Sequence, residues 1–215
     1  MPSPFMERYL SAQLAGDRAA ALRIVLEDGP AAGLTPPDLH LDVIAAAQFE
    51  IGRLWQLNRV SIAQEHLATA ISQLALAQLY GRLPRAKRCE KRILLACVDG
   101  ELHDMAPRIA ADFLEMAGFD VRFLGASVPT ESLVAMAAGD PPDVVALSAT
   151  MTFHIPALRG AIAALRDELG DSIPIIAGGH ALIGTPELGA ANTHIAGGTA
   201  RDFVQLVRTL TRCAE

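Results

Sequence analysis

One imidazole in this sequence stands among carboxylates, in the stretch Asp99-Gly100-Glu101-Leu102-His103-Asp104. Imidazole nitrogen is a good ligand for transition metals, and a carboxylate two residues away can hold the second ring nitrogen and fix the ring. Three further stretches offer binding chemistry of another kind. Ser148-Ala149-Thr150-Met151-Thr152 carries hydroxyls at Ser148 and Thr152, while Gly178-Gly179-His180 and Gly197-Gly198 expose backbone that a bulky ligand can approach closely. A lone loop histidine is as readily a satisfied polar residue as a ligand, so the weight rests on the four stretches occurring together.

Each stretch follows an apolar run of strand length, at residues 93–98, 143–148, 173–177 and 193–196, and a fifth run covers 120–124. Helical segments at 105–118, 130–138, 155–169, 184–190 and 200–213 alternate with them. That alternation predicts a five-stranded, doubly wound α/β domain over residues 93–215, with a parallel sheet and helices on both faces. Ligands of such sheets sit outside the carboxyl ends of the strands, where all four stretches fall.

Residues 1–83 read as helices alone, since Ala and Leu recur at helical spacing without β-branched runs. Thr35-Pro36-Pro37-Asp38 opens a helix running to about residue 53, with prolines where a missing N–H does no harm. Ser61-Ile62-Ala63-Gln64 matches a capping box and opens another that continues to about residue 83. Shorter helices near 4–15 and 18–27 complete a predicted four-helix bundle. Between the halves, residues 84–92 (PRAKRCEKR) are basic and nearly free of apolar side chains, which marks an interdomain linker.

The 215 residues are 51% apolar with a formal charge of −6, enough for a real core and the wrong sign for a phosphate-tracking surface. No direct nucleic-acid contact is expected. The N-terminal stretch MPSPFMERYL lacks the pattern of a secretory signal, and no apolar run reaches bilayer length, so the expectation is a cytoplasmic protein without membrane attachment. Cys89, Cys97 and Cys213 lack metal-site spacing and read as free thiols in a reducing compartment.

The loop residues resemble the cobalamin-binding domain family of methionine synthase, corrinoid methyltransferase proteins and mutases, over residues 92 to 213. The family pattern is Asp-x-His-x-x-Gly, then Ser-x-Leu, then Gly-Gly; here it corresponds to Glu101-Leu102-His103-Asp104-Met105-Ala106, Ser148-Ala149-Thr150 and Gly178-Gly179. The resemblance implies a flavodoxin-like (Rossmann-type) fold in which His103 ligates cobalt from below. It also implies that the displaced base and nucleotide tail of the cofactor pass Ser148, Thr152 and the glycines 178, 179 and 197, with Glu101 and Asp104 beside the ligand. Glu101, Ala106 and Thr150 depart from the pattern, and the Ala106 methyl stands where the family has glycine.

Trp55, nine intervening residues and Glu65-His66 are similar to the helical cap of the adenosylcobalamin photoreceptors that regulate carotenoid genes. The resemblance implies that Trp55 packs on the adenosyl group, Glu65 hydrogen-bonds its ribose, and His66 becomes the upper cobalt ligand once light has removed that group. An indole suits a nucleoside face and a carboxylate can accept two hydroxyl protons. A core Trp beside a solvent-facing Glu-His pair is the plainer alternative.

Together these implications describe a light sensor that binds adenosylcobalamin without turnover and acts through a partner, such as a transcription regulator or sensor output domain, or through self-association. A winged-helix DNA-binding domain, which the photoreceptor relatives carry, is not expected ahead of the first cap helix. The alternative reading is a corrinoid carrier that shuttles methyl groups for methyltransferases. It requires an open upper face, whereas Trp55, Glu65 and His66 point to a filled adenosyl pocket.

Overall fold

The computed structural model describes residues 3–184 and 188–213, and the chain divides into two compact units, Met1–Pro84 and Arg85–Glu215. In the first unit, α1 (Pro4–Leu14) starts at Ser3, whose hydroxyl accepts from the Phe5 N–H. Helix α2 (Arg18–Arg23) starts at Asp17 and runs on through a π-turn (Ile24–Asp28) into Gly29–Ala31. The stretch opened by Thr35 is also broken, into Pro36–Asp38, a π-turn (Leu39–Ala45) and α3 (Ala46–Gln56). Gly29 sits where these interrupted helices meet: a Cβ there would lie 2.7 Å from Leu39 Cδ2.

Helix α4 (Ile62–Leu79) begins at the predicted capping box, in which Ser61 Oγ accepts from the Gln64 N–H at 3.3 Å and Gln64 Oε1 accepts from the Ser61 N–H at 3.0 Å. A 3₁₀ turn (Tyr80–Arg82) ends it. Val25, Leu39, Ile44, Ile51, Ile71 and Leu76 form the buried interior. Among them lie polar side chains that hydropathy does not place there, Tyr9, Gln13 and Ser72.

The second unit contains β1 (Arg92–Cys97), α5 (Met105–Met116), β2 (Asp120–Phe123), α6 (Thr130–Gly139), β3 (Val144–Ser148), α7 (Ile155–Leu169), β4 (Ile175–Gly178), β5 (Thr193–Ile195) and α8 (Ala200–Thr211). The five strands are parallel in the order β2-β1-β3-β4-β5. Helices α5 and α8 pack together, as do α6 and α7, which gives the doubly wound arrangement. Leu94, Ala96, Val145 and Leu147 face Leu133, Leu158 and Ile162 on the α6/α7 side. The segment before β1 is tied to this unit, since the Ala86 and Cys89 N–H groups donate to the carbonyls of Met116 and Gly118, each at 2.9 Å.

One predicted helix is corrected. Over 184–190, Gly184 and residues 188–190 form turn and bend, residues 185–187 lie outside the described ones, and the helical turn nearby is the short His180–Leu182. A Gly-Thr-Pro start and a further glycine at position 189 leave little apolar helical face to bury there. No helix among the described residues is long and apolar enough to cross a membrane.

Candidate functional site

The strand order reverses direction between β1 and β3, so the loops after these two strands diverge from one crevice at the carboxyl edge. Glu101 lies in the first loop, buried, and both its oxygens are occupied. Oε1 accepts from the His103 N–H at 2.9 Å and from His103 Nδ1 at 2.5 Å; Oε2 accepts from the N–H groups of Thr150 and Met151 in the second loop at 2.7 and 3.1 Å. Burial pushes the carboxyl pKa upward, but the bonds from the His103 ring and from these three N–H groups outweigh it and hold it at about 2.

A carboxylate only accepts, so Nδ1 of His103 carries a proton, and in the neutral tautomer that this selects the lone pair is on Nε2. The His103 side chain is 47% exposed. With its ring held through Nδ1 by Glu101, the neutral form of this imidazole would present Nε2 as a single metal-coordinating atom.

The other predicted residues are placed as follows. Asp104 precedes α5, and its Oδ2 accepts from Arg108, one turn on, at 2.8 Å. Ser148 is buried at the end of β3, and its carbonyl accepts from the Val98 N–H at 3.1 Å. Thr152 is exposed at the start of the short Thr152–His154 turn. Gly178 ends β4. Gly179 has φ +108°, and a Cβ there would lie 2.2 Å from the Ala149 carbonyl oxygen, so a side chain is excluded where two binding loops touch. At Gly197 a Cβ would meet nothing within 4 Å. Ala106 is exposed in the first turn of α5, its methyl on the surface.

Two features were not legible in the sequence. His154 Nε2 comes to 4.0 Å from Glu101 Oε2, placing imidazoles on both sides of the carboxylate. Leu102, Phe153 and Ile183, in the loops after β1, β3 and β4, are large apolar side chains left exposed at this edge. Exposed leucine or phenylalanine in a loop was the available signal, and hydropathy alone does not tell an exposed position from a buried one.

In the helical unit, Trp55 is half-buried near the end of α3, and Glu65 and His66 lie in the opening turns of α4. His66 Nδ1 donates to Glu65 Oε2 at 2.5 Å, and the Thr69 hydroxyl donates to Glu65 Oε1 at 2.8 Å. The His66 side chain is 73% exposed.

Comparison with known proteins shows the family and the fold. A model of the B12 binding domain matches residues 91–207, and a second B12 binding domain model matches residues 6–80. Dimethylamine corrinoid protein 1 of Methanosarcina acetivorans is 28% identical over 68% of this chain and 70% of its own length. The HTH-type transcriptional repressor CarH of Myxococcus xanthus is 29% identical over 81% of this chain and 57% of its own length. The structure of Methanosarcina barkeri monomethylamine corrinoid protein shares the fold, with a TM-score of 0.83 and 20% identity over 96% of this chain and 98% of that one.

Proposed function

Because the chain belongs to the B12 binding domain family and binds a cobalamin-type cofactor, we propose that it is an adenosylcobalamin-binding light sensor that signals through photolysis of the cobalt–carbon bond and a ligand switch, in which His66 would replace the lost adenosyl group. The residues present fit the cofactor. Among the described residues there is no group of three or more metal-binding side chains, and a corrin, which brings four nitrogens of its own, asks the protein for a single axial ligand such as His103 Nε2. The exposed Leu102, Phe153 and Ile183 suit an apolar macrocycle, and the open space at Gly197, with Ser148 and Gly178 in register at the ends of β3 and β4, suits its tail.

When bound, adenosylcobalamin supplies a cobalt–carbon bond that light can break. The observation that carries the sensor reading is the Glu65–His66 pair on a capped helix. Glu65 is held by Thr69 and so remains to accept ribose hydroxyls, Trp55 supplies an apolar surface for the nucleoside, and His66 is an exposed imidazole joined to Glu65 by one short bond. Release of that bond frees His66 Nδ1 and leaves Glu65 where it was. In this reading the protein is not an enzyme; it acts in the cytoplasm through a protein partner or a change in self-association.

The test is a visible spectrum of reconstituted protein before and after green light. Illuminated wild-type protein is expected to give a bis-imidazole spectrum, and His66→Ala a hydroxocobalamin-like one; identical spectra remove His66 as the light-state ligand. The second reading, a methyl carrier working with methyltransferases, is favoured by the match to the dimethylamine corrinoid protein over 70% of that protein's length, against 57% for the repressor. Equal affinity of the wild-type protein for methyl- and adenosylcobalamin selects the carrier.

A further inference from the structure

Glu65 is the outer end of a chain of side-chain hydrogen bonds that runs into the interior of the helical unit. The Thr69 hydroxyl that donates to Glu65 Oε1 accepts from Gln48 Nε2 at 2.8 Å. Gln48 Oε1 in turn accepts from Gln13 Nε2 at 2.9 Å and from the Ser72 hydroxyl at 3.3 Å. Tyr9 OH lies 3.0 Å from Ser72 Oγ at the inner end, and Tyr9, Gln13 and Ser72 are all buried.

The directions of the outer bonds follow from the carboxylate. Since Glu65 only accepts, Thr69 must spend its one hydrogen on it; the Thr69 oxygen is then an acceptor, so Gln48 presents its NH₂ outward and its carbonyl inward. Gln13 must therefore face Gln48 with its own NH₂. Its Oε1 is left buried with no hydrogen-bond partner among the described residues. Gln13 Nε2 also lies 2.9 Å from the Ala68 carbonyl oxygen and 2.8 Å from Ser72 Oγ, and turning the amide over would set its carbonyl against those of Gln48 and Ala68; the bundle therefore keeps an unsatisfied oxygen, and the Gln13, Gln48 and Thr69 side chains donate in turn toward Glu65.

We propose that Thr69 and Gln48 are positioning residues that fix Glu65 and thereby set the preference of this unit for an upper ligand bearing a vicinal diol. The inference rests on the light-sensor reading, in which Glu65 receives the ribose of an adenosyl group. A carboxylate locked by Thr69 on Oε1 and by His66 on Oε2 presents its remaining lone pairs in one orientation, so a diol does not have to freeze it on binding. A methyl ligand has no hydroxyl to benefit.

The experiment is absorbance titration of the full chain in the dark with adenosylcobalamin and with methylcobalamin, comparing the ratio of the two Kd values among variants. Wild-type protein is expected to prefer the adenosyl form, and Glu65→Gln to lose that preference. Thr69→Val should lower the ratio ~10-fold, by loss of a charge-assisted hydrogen bond, and Gln48→Leu by a smaller factor. Thr69→Ser, which keeps the hydroxyl, should restore the ratio, whereas a role in packing alone would spare the similarly shaped Val, impair Ser, which lacks the methyl, and overturn the proposal. Thr69→Ala reports in place of Thr69→Val should the latter not fold. A wild-type ratio in Thr69→Val, with the preference lost in Glu65→Gln, overturns the relay and leaves the light-sensor reading standing. No preference in the wild-type protein removes both.

Discussion

Two carboxylates in this molecule, Glu101 in the α/β unit and Glu65 in the helical unit, each hold an imidazole through Nδ1 at 2.5 Å, and they are anchored by different means. Glu101 is buried and takes three backbone N–H bonds from two loops, so its position is a property of the fold. Glu65 is partly exposed and is fixed by a threonine and, beyond it, a glutamine. Backbone donors cannot be mutated away or rotated, whereas side-chain donors can. His103 thus stands on backbone scaffolding and His66 on adjustable side chains, a difference that the proposed light-sensor reading would use.

The largest effect should come from Glu101→Ala. It strands the N–H groups of His103, Thr150 and Met151, and should cost the α/β unit about 4 kcal/mol in urea unfolding. A loss below about 1 kcal/mol would abolish the distinction between the two anchors. Next is Gly179→Ala, which pushes a methyl against the Ala149 carbonyl at positive φ and shifts the loop that supplies the Thr150 and Met151 donors. About 3 kcal/mol of destabilisation is expected in thermal unfolding, and an unchanged Tm would show that the loop is softer than the geometry requires.

The inner end of the side-chain relay has a pH signature. Burial, offset in part by the Ser72 bond, raises the Tyr9 pKa from 10.0 to about 12. Its folded pKa is raised, so its contribution is fully present below pH 10 and is lost as pH rises toward 12, because the unfolded chain ionises first. Of order 2 kcal/mol should disappear across that window, measured as unfolding free energy against pH, and Tyr9→Phe should flatten the curve by that amount. The smallest effect belongs to Thr69→Val, at about 1 kcal/mol or less on stability. A cost as large as that of Glu101→Ala would mean that the relay is structural scaffolding and not an adjustable support.

The sequence by itself determined the two kinds of unit and most of their punctuation. Strand runs and helical segments alternate after residue 92, and the capping box at Ser61 starts α4 where its side chains demand. It also determined that His103 has a carboxylate within reach, since Glu101 is two residues away and the bond is local. The π-turns at Ile24–Asp28 and Leu39–Ala45 left no trace in it, because apolar periodicity does not separate one added residue per turn from an ordinary helix. Asp104 reads as a second flank of the imidazole, and the bond its Oδ2 accepts from Arg108, four residues on, was not read from the sequence. Only the tertiary structure decided what holds the two carboxylates. The donors on Glu101 Oε2 come from residues 49 and 50 positions away, and Gln48 reaches Thr69 across 21. Contacts at such separations depend on which loops and helices the fold brings together, and nothing in the local chemistry of a glutamine or a loop amide announces its partner.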